Sequence, residues 1–337
     1  MFCSLSRAFR LQSGGHPLPL RRRARSLPGL LTGAGQAART ILVGIGFGAP
    51  SRRALRRADE LARALGCKLR LVHAFPESSA ELRMPEFVTQ QLAELPDAAE
   101  RMQATVQAWA AFLAGVVVPT SQICAARGDA MAVLLQEAAR PDVALVVLGR
   151  SEHPGVPKAT LAHRLLRICP RPVLIVGERG LNPSIVAATD CTDGRLPVLW
   201  AASSLVPALG QQVTAVHNLD AEASQLAAEI GRPLTPQLAG LLCTGMQEWL
   251  DTQKAVHKLL ITNETDNTRG VLSVVRSEQA DLLVVGVKND LLADRRTAES
   301  LLDACSTSIL FIPLGRVFER SVRSGTLSVL PELSSPA

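Results

Sequence analysis

The chain has 337 residues, 47% of them hydrophobic and 20% charged, which suits two ordinary cores of about 150 residues each. Every strand-like apolar run is cut by Gly, Pro or charge well short of the roughly 20 residues that a membrane-spanning helix requires, so no membrane role is expected. The formal charge of +6 belongs to one end: residues 1–39 carry seven arginines (Arg7, Arg10, Arg21, Arg22, Arg23, Arg25, Arg39) and no acid, so 6 − 7 leaves the remainder near −1. With 3% aromatics and no Tyr as well, a nucleic-acid footprint finds no support.

In chain order, residues 1–38 form a basic leader expected to be disordered. Its acid-free composition with Arg and Ser leaves a mitochondrial transit segment as the alternative to a cytoplasmic, bacterial protein. Short continuous apolar runs, of the kind a parallel sheet buries on both faces, predict strands at about 40–46, 68–75, 120–126, 143–149 and 172–177. Helical periodicity predicts helices from Ser51 to Leu65 and over about 98–116, 130–140 and 158–168. The first has Ser51 as its expected N-cap, Ala54, Leu55, Ala58, Leu61, Ala62 and Leu65 on one face, and Gly66 as its stop.

The pattern then repeats. Ala64-Leu65-Gly66 with Val72-His73 recurs 144 residues later as Ala208-Leu209-Gly210 with Val216-His217. Ala144–Gly149 corresponds to Asp281–Gly286, and Cys169–Val176 to Cys305–Ile312, at offsets of 137 and 136. The expected fold is therefore α/β: two tandem, doubly wound, five-stranded parallel-sheet domains at 39–178 and 183–314, with a loose tail at 315–337. In such sheets ligands bind beyond the carboxyl ends of the strands.

These motifs, above all the closing segment Leu165-Leu166-Arg167-Ile168-Cys169-Pro170-Arg171-Pro172-Val173-Leu174-Ile175-Val176, resemble the universal stress protein family in its tandem, two-domain form. The resemblance covers about 40–177 and 184–313. It implies a UspA-like, adenine-nucleotide α-hydrolase-like fold and a stress-response role. Members that bind ATP use an Asp at the end of strand one and a G-x-x-G-x9-G-[ST] loop after strand four, where glycines admit backbone N–H groups to the phosphates and a helix N-terminus adds its dipole.

Against that pattern both copies are degenerate. In the first, Gly46 stands at the Asp position, Gly149 keeps the first glycine, Glu152 replaces the second, and Ala159-Thr160 fall at the Gly-Ser/Thr pair after a shortened spacer. In the second, Asp190 and Gly286 are kept, Asn289 replaces the second glycine, and Arg295-Arg296 fall at the Gly-Ser pair, where they would hold phosphate by charge-assisted bonds rather than a backbone cradle. The cofactor-binding candidates are thus Asp190, Gly286, Arg295, Arg296, Gly149 and Thr160. Each has a plainer alternative: the two glycines as strand ends, Thr160 and Asp190 as helix N-caps.

His73 and His217 sit mid-strand with no nearby acid and are expected to pack or to face solvent rather than to catalyse. The seven cysteines and six histidines are dispersed, with no metal-ligand spacing, so no metal is expected. No catalytic residue is assigned. The expected function is a non-catalytic stress-response protein with degenerate nucleotide loops and no obligate cofactor. The alternative is an ATP- or AMP-binding switch that uses the second domain alone. Partners are expected to be the two domains themselves, as an intramolecular pseudo-dimer, with a homodimer and a small apolar ligand under the loops at about 76–97 and 220–235 left open.

Overall fold

The computed structural model describes residues 39–75, 97–150, 160–178, 182–189, 196–209, 212–218, 244–245, 248, 258–288 and 292–314. The leader, the tail and the two long loops named above lie outside the described residues. The N-terminal half runs β1 (Thr40–Gly44), α1 (Ala49–Leu65), β2 (Lys68–Phe75), α2 (Ala98–Trp109), β3 (Ile123–Arg127), α3 (Ala130–Ala138), β4 (Val143–Gly149), α4 (Leu161–Ile168) and β5 (Val173–Val176). The C-terminal half gives β6 (Asn182–Ala188), α5 (Leu196–Leu209), β7 (Gln212–Asn218), β8 (Lys258–Thr262), α6 (Asn267–Ser277), β9 (Ala280–Val287), α7 (Leu292–Ala304) and β10 (Ser308–Pro313).

Helix α1 buries Ala54, Leu55, Ala58, Leu61 and Ala62, the apolar stripe visible in the sequence, and ends at Gly66 with φ 65°. Its start differs from expectation. Gly48 is the N-cap, Pro50 lies in the first turn, and Ser51 is already helical. The Ser51 hydroxyl turns back to accept from the Gly46 N–H at 2.8 Å, so it braces the loop before the helix instead of capping it. Pro tolerates the first turn because the N–H it lacks would have no helical partner there. Strand β3 also starts later than expected, since the polar Thr120–Gln122 segment forms a 3₁₀ turn ahead of it.

The two expected five-stranded sheets are one. Strand order is β3-β2-β1-β4-β5-β10-β9-β6-β7-β8, so each half has the doubly wound order and the halves meet edge to edge. Every ladder is parallel except the central one, where β5 and β10 pair antiparallel through Ile175 with Ile309, Leu174 with Leu310 and Val173 with Phe311. An antiparallel join between equivalent strands relates the halves by an approximate twofold axis.

Because side chains alternate across a strand, the sheet feeds two cores. Ile41, Val43, Leu145, Leu174, Ile185, Leu282 and Leu310 belong to one, with α1 and α5. Leu42, Val146, Ile175, Val186, Leu283 and Phe311 belong to the other, with α3, α4, α6 and α7. Both cores run unbroken from one half into the other.

Candidate functional site

Strand order reverses between β1 and β4 in the first half and between β6 and β9 in the second, so a ligand crevice is expected beyond their carboxyl ends. In the first half the loop after β1 carries Gly46, Phe47 and Gly48. Phe47 adopts φ 57°, a left-handed conformation that costs a bulky residue about 1 kcal/mol or more. Neighbours hold it there. The Phe47 ring lies 4.5 Å from that of His73 and 5.8 Å, edge-on, from that of Trp109, whose indole N–H donates to the Phe47 carbonyl at 3.2 Å. His73 stacks in turn on Phe75 at 6.4 Å.

His73 is held in one tautomer. Its Nδ1 lies 2.8 Å from the Ile45 carbonyl, which can only accept, so Nδ1 carries the proton and Nε2 is the bare acceptor. Burial holds the imidazole below its ordinary pKa, opposed in part by that same bond. The second half repeats the device, with His217 Nδ1 at 2.9 Å from the Thr189 carbonyl. Each histidine therefore ties the second strand of its half to the loop after the first.

The loop after β4 is turned to structural use. An added Cβ on Gly149 would collide with the backbone carbonyl of Pro50, so this glycine admits the first turn of α1 against the end of β4. Arg150 reaches across the molecule: its guanidinium donates to the Leu302 carbonyl in the last turn of α7 and to the Thr307 carbonyl at 3.3 Å. Burial pulls this guanidinium below its usual value, while Cys305 and Asp303 nearby favour its charge. Thr160 is the N-cap of α4, its hydroxyl accepting from the His163 N–H. The same hydroxyl lies 2.7 Å from His163 Nδ1, and His163 Nε2 lies 3.0 Å from the Asp303 carboxylate on α7. That bridge, with the Arg167–Glu299 pair at 2.9 Å, staples α4 to α7 across the two halves.

In the second half Gly286 lies within β9, buried and paired with Ile312 of β10. Arg295 and Arg296 lie in the second turn of α7, half-buried and exposed respectively. Helix α7 has 13 residues where α4 has 8, so helix extends into the stretch that precedes Thr160 in the first half. Asp190 and Asn289 lie outside the described residues. At the end of β7, Asn218 is buried and fully engaged: its amide donates to the Glu264 carbonyl at 2.6 Å and to Asn267 at 2.9 Å, and its carbonyl accepts from Thr262 and from the Glu264 N–H. Gly270 packs against this hub without room for a side chain.

Gly149 thus ends β4 against Pro50 and Thr160 caps α4, while Gly286 lies in β9 and the arginine pair on α7. Phe47 was readable in principle as an aromatic between two glycines in an aromatic-poor chain. Arg150 and the His163–Asp303 bridge carry no sequence signal, because they depend on the other half. Among the described residues no group of His, Cys, Asp and Glu is placed to hold a metal ion, and no helix is long and apolar enough to cross a membrane.

The strand order and its helices define a doubly wound α/β protein. Residues 37–177 match the universal stress protein family; the match does not extend to the second half. No curated protein matches the chain. Solved structures resemble it in fold: a functionally unknown protein from Pseudomonas aeruginosa PAO1 (19% identity, TM-score 0.50, covering 86% of this chain and 97% of that one). A protein of Pseudomonas aeruginosa UCBPP-PA14 assigned to the universal stress proteins has 18% identity and TM-score 0.52 over 86% of this chain and 98% of its own. A universal stress protein from Archaeoglobus fulgidus has 12% identity and TM-score 0.50 over 82% and 97%.

Proposed function

We infer that the protein is a non-catalytic, tandem universal stress protein whose two domains, 39–178 and 183–314, act as one intramolecular pair and whose nucleotide loops no longer cradle a triphosphate. The observation that carries this reading is the use made of the loop after β4. Gly149 is filled by Pro50, Arg150 caps the far helix, and the Thr160 hydroxyl is engaged by its own helix and by His163. Groups at the place of the phosphate loop are instead engaged in packing, in capping and, through Arg150, in joining the halves. The hydroxyl–imidazole–carboxylate chain Thr160–His163–Asp303 has its hydroxyl engaged as the N-cap of α4 and its histidine buried between α4 and α7, which favours a structural role over catalysis. Equilibrium dialysis of the purified protein with ATP is the test. Affinity in the micromolar range would overturn the loss of binding.

The exposure of Arg296 and the partial exposure of Arg295 favour one second reading, in which the second half alone holds ATP or AMP. Asp190, Gly286 and the arginine pair would then be its ligands. Binding that is removed by Asp190→Ala supports this switch; binding that survives the change, or is absent from the start, rejects it.

A further inference from the structure

We propose that the exposed apolar tip at the end of α2 is a membrane-surface contact, and that its partner is an anionic lipid bilayer which the basic leader also engages. Exposure marks the place. Among the described residues four large hydrophobic side chains are exposed, and three of them, Phe112 at 82%, Leu113 at 51% and Val117 at 86%, fall within six positions. The local backbone explains why they stand out. Ala110–Ala114 forms a π turn, whose extra residue shifts the helical face, and Gly115 closes it at φ 71°. Ala110, Ala114, Val116 and Val118 turn into the core, which leaves Phe112, Leu113 and Val117 outside.

Charge points to the partner. Residues 102–126 contain no Asp, Glu, Lys, Arg or His, so the tip carries no charge of its own. Its surroundings are basic. Arg56 on α1 donates to the Ala114 carbonyl at 3.1 Å and to the Leu113 carbonyl at 3.3 Å, which holds a guanidinium beside the tip. Arg52, one turn earlier on α1, and Lys68 at the start of β2 are exposed, while the two acids of α1, Asp59 and Glu60, are paired with Arg63 and Arg57. The leader joins close by. Thr40 pairs with Lys68 and Leu71 with Ile123, so β3 begins about 10 Å, three residues of strand, above the level at which the chain enters β1. Residues 1–39 bring seven arginines and no acid to this side of the molecule.

An apolar tip and a polybasic segment are each weak anchors alone, and together they hold a protein on an anionic surface. Phe112 and Val117, each more than four-fifths exposed, project from the surface and form no groove, which favours a bilayer over a docked peptide. A twofold contact between copies through the tip would set Arg52 and Arg56 near their own equivalents, and like charges repel. Contact with a bilayer surface needs no spanning helix, and it stands apart from the state of the nucleotide loops.

The full chain is floated with vesicles of phosphatidylcholine mixed with phosphatidylserine and with vesicles of phosphatidylcholine alone. Binding to the mixed vesicles is expected to be at least about tenfold tighter and to weaken as salt rises. Phe112→Ser combined with Val117→Ser, at positions where neither side chain enters the core, is expected to weaken it about tenfold or more. Arg21→Gln, Arg22→Gln and Arg23→Gln together are expected to do the same through the lost charge. If the serine pair disturbs the far-UV circular dichroism, Phe112→Trp replaces it, and brominated acyl chains are expected to quench its emission beyond that of the wild type. Absence of binding to the mixed vesicles, or equal binding to both kinds, overturns the proposal. Binding left unchanged by the serine pair or by the arginine changes does so as well, as does Phe112→Trp emission that the lipid leaves unquenched. A wild-type dimer in sedimentation equilibrium that the serine pair converts to monomer assigns the tip to a contact between copies and likewise overturns the membrane.

Discussion

His73 shows how one buried atom gives the first half a pH response. Its pKa is depressed by burial, so above about pH 6.5 folded and unfolded chains both carry a neutral ring and its contribution is complete. As pH falls below that value the unfolded chain takes up a proton that the folded chain refuses, and stability falls at no more than about 1.4 kcal/mol per pH unit for this one site. Replacing His73 by Asn keeps a donor for the Ile45 carbonyl and removes the titration. Urea unfolding followed from pH 8 to pH 5 is expected to show a shallower acid loss in His73→Asn than in the wild type; parallel curves would rule the contribution out.

Gly149 makes a separate test at the same scale. The sequence marks it either as a strand end or as a ligand contact, and its collision distance from Pro50 favours the former. Gly149→Ala is expected to lower the unfolding free energy by about 1–3 kcal/mol in the absence of any nucleotide, the usual cost of forcing atoms into a filled space. An unchanged midpoint would return the glycine to the ligand. The glycine was legible because its type announces a backbone requirement. What fills the space opposite was not, since Pro50 lies about a hundred residues away along the chain.

Elements were easier to read than their ends. The apolar stripe of α1 and the continuous runs of β1, β4 and β9 have periods that sequence alone exposes, because burial acts on each residue by its position in the repeat. The start of α1 was misplaced because Ser51 has the chemistry of an N-cap but uses its hydroxyl on Gly46. Helix α7 begins a little before the position that the repeat implies, and the Arg295-Arg296 pair, aligned to the Gly-Ser pair of the phosphate loop, lies within it. The last turn of α7 depends on Arg150, which satisfies the Leu302 carbonyl and places positive charge where the helix dipole is negative. Arg150→Met is expected to destabilise the protein by on the order of 2 kcal/mol through loss of these charged bonds. Arg150→Lys is expected to recover only part, since a single ammonium does not reproduce the fork that reaches both Leu302 and Thr307. Full recovery by Lys in thermal unfolding would show that charge alone matters.

At the scale of the whole molecule the seam between the halves decides behaviour. The repeat predicted two equivalent domains, and equivalence is what allows β5 and β10 to meet antiparallel, but no local pattern states that the edges join. Around that join lies a buried ion pair between Arg57 on α1 and Asp281 at the start of β9, with side chains 7% and 5% exposed. Arg57 also holds Glu60 at 3.1 Å, so its charge has support within its own helix, whereas the bond to Asp281 is the one that spans the halves. Two charges withdrawn from water gain little net stability as a pair, but leaving either without the other is costly. Arg57→Met alone, or Asp281→Leu alone, is therefore expected to lose about 3–5 kcal/mol, and the double change less than either. Guanidinium unfolding of the four proteins makes the cycle, and losses that simply add would show that the pair is not coupled. Because both cores cross the seam, the wild type is expected to unfold in one transition read alike by Trp fluorescence and far-UV circular dichroism. The single changes weaken the seam while leaving each half its own strands, so they are where the two signals should separate.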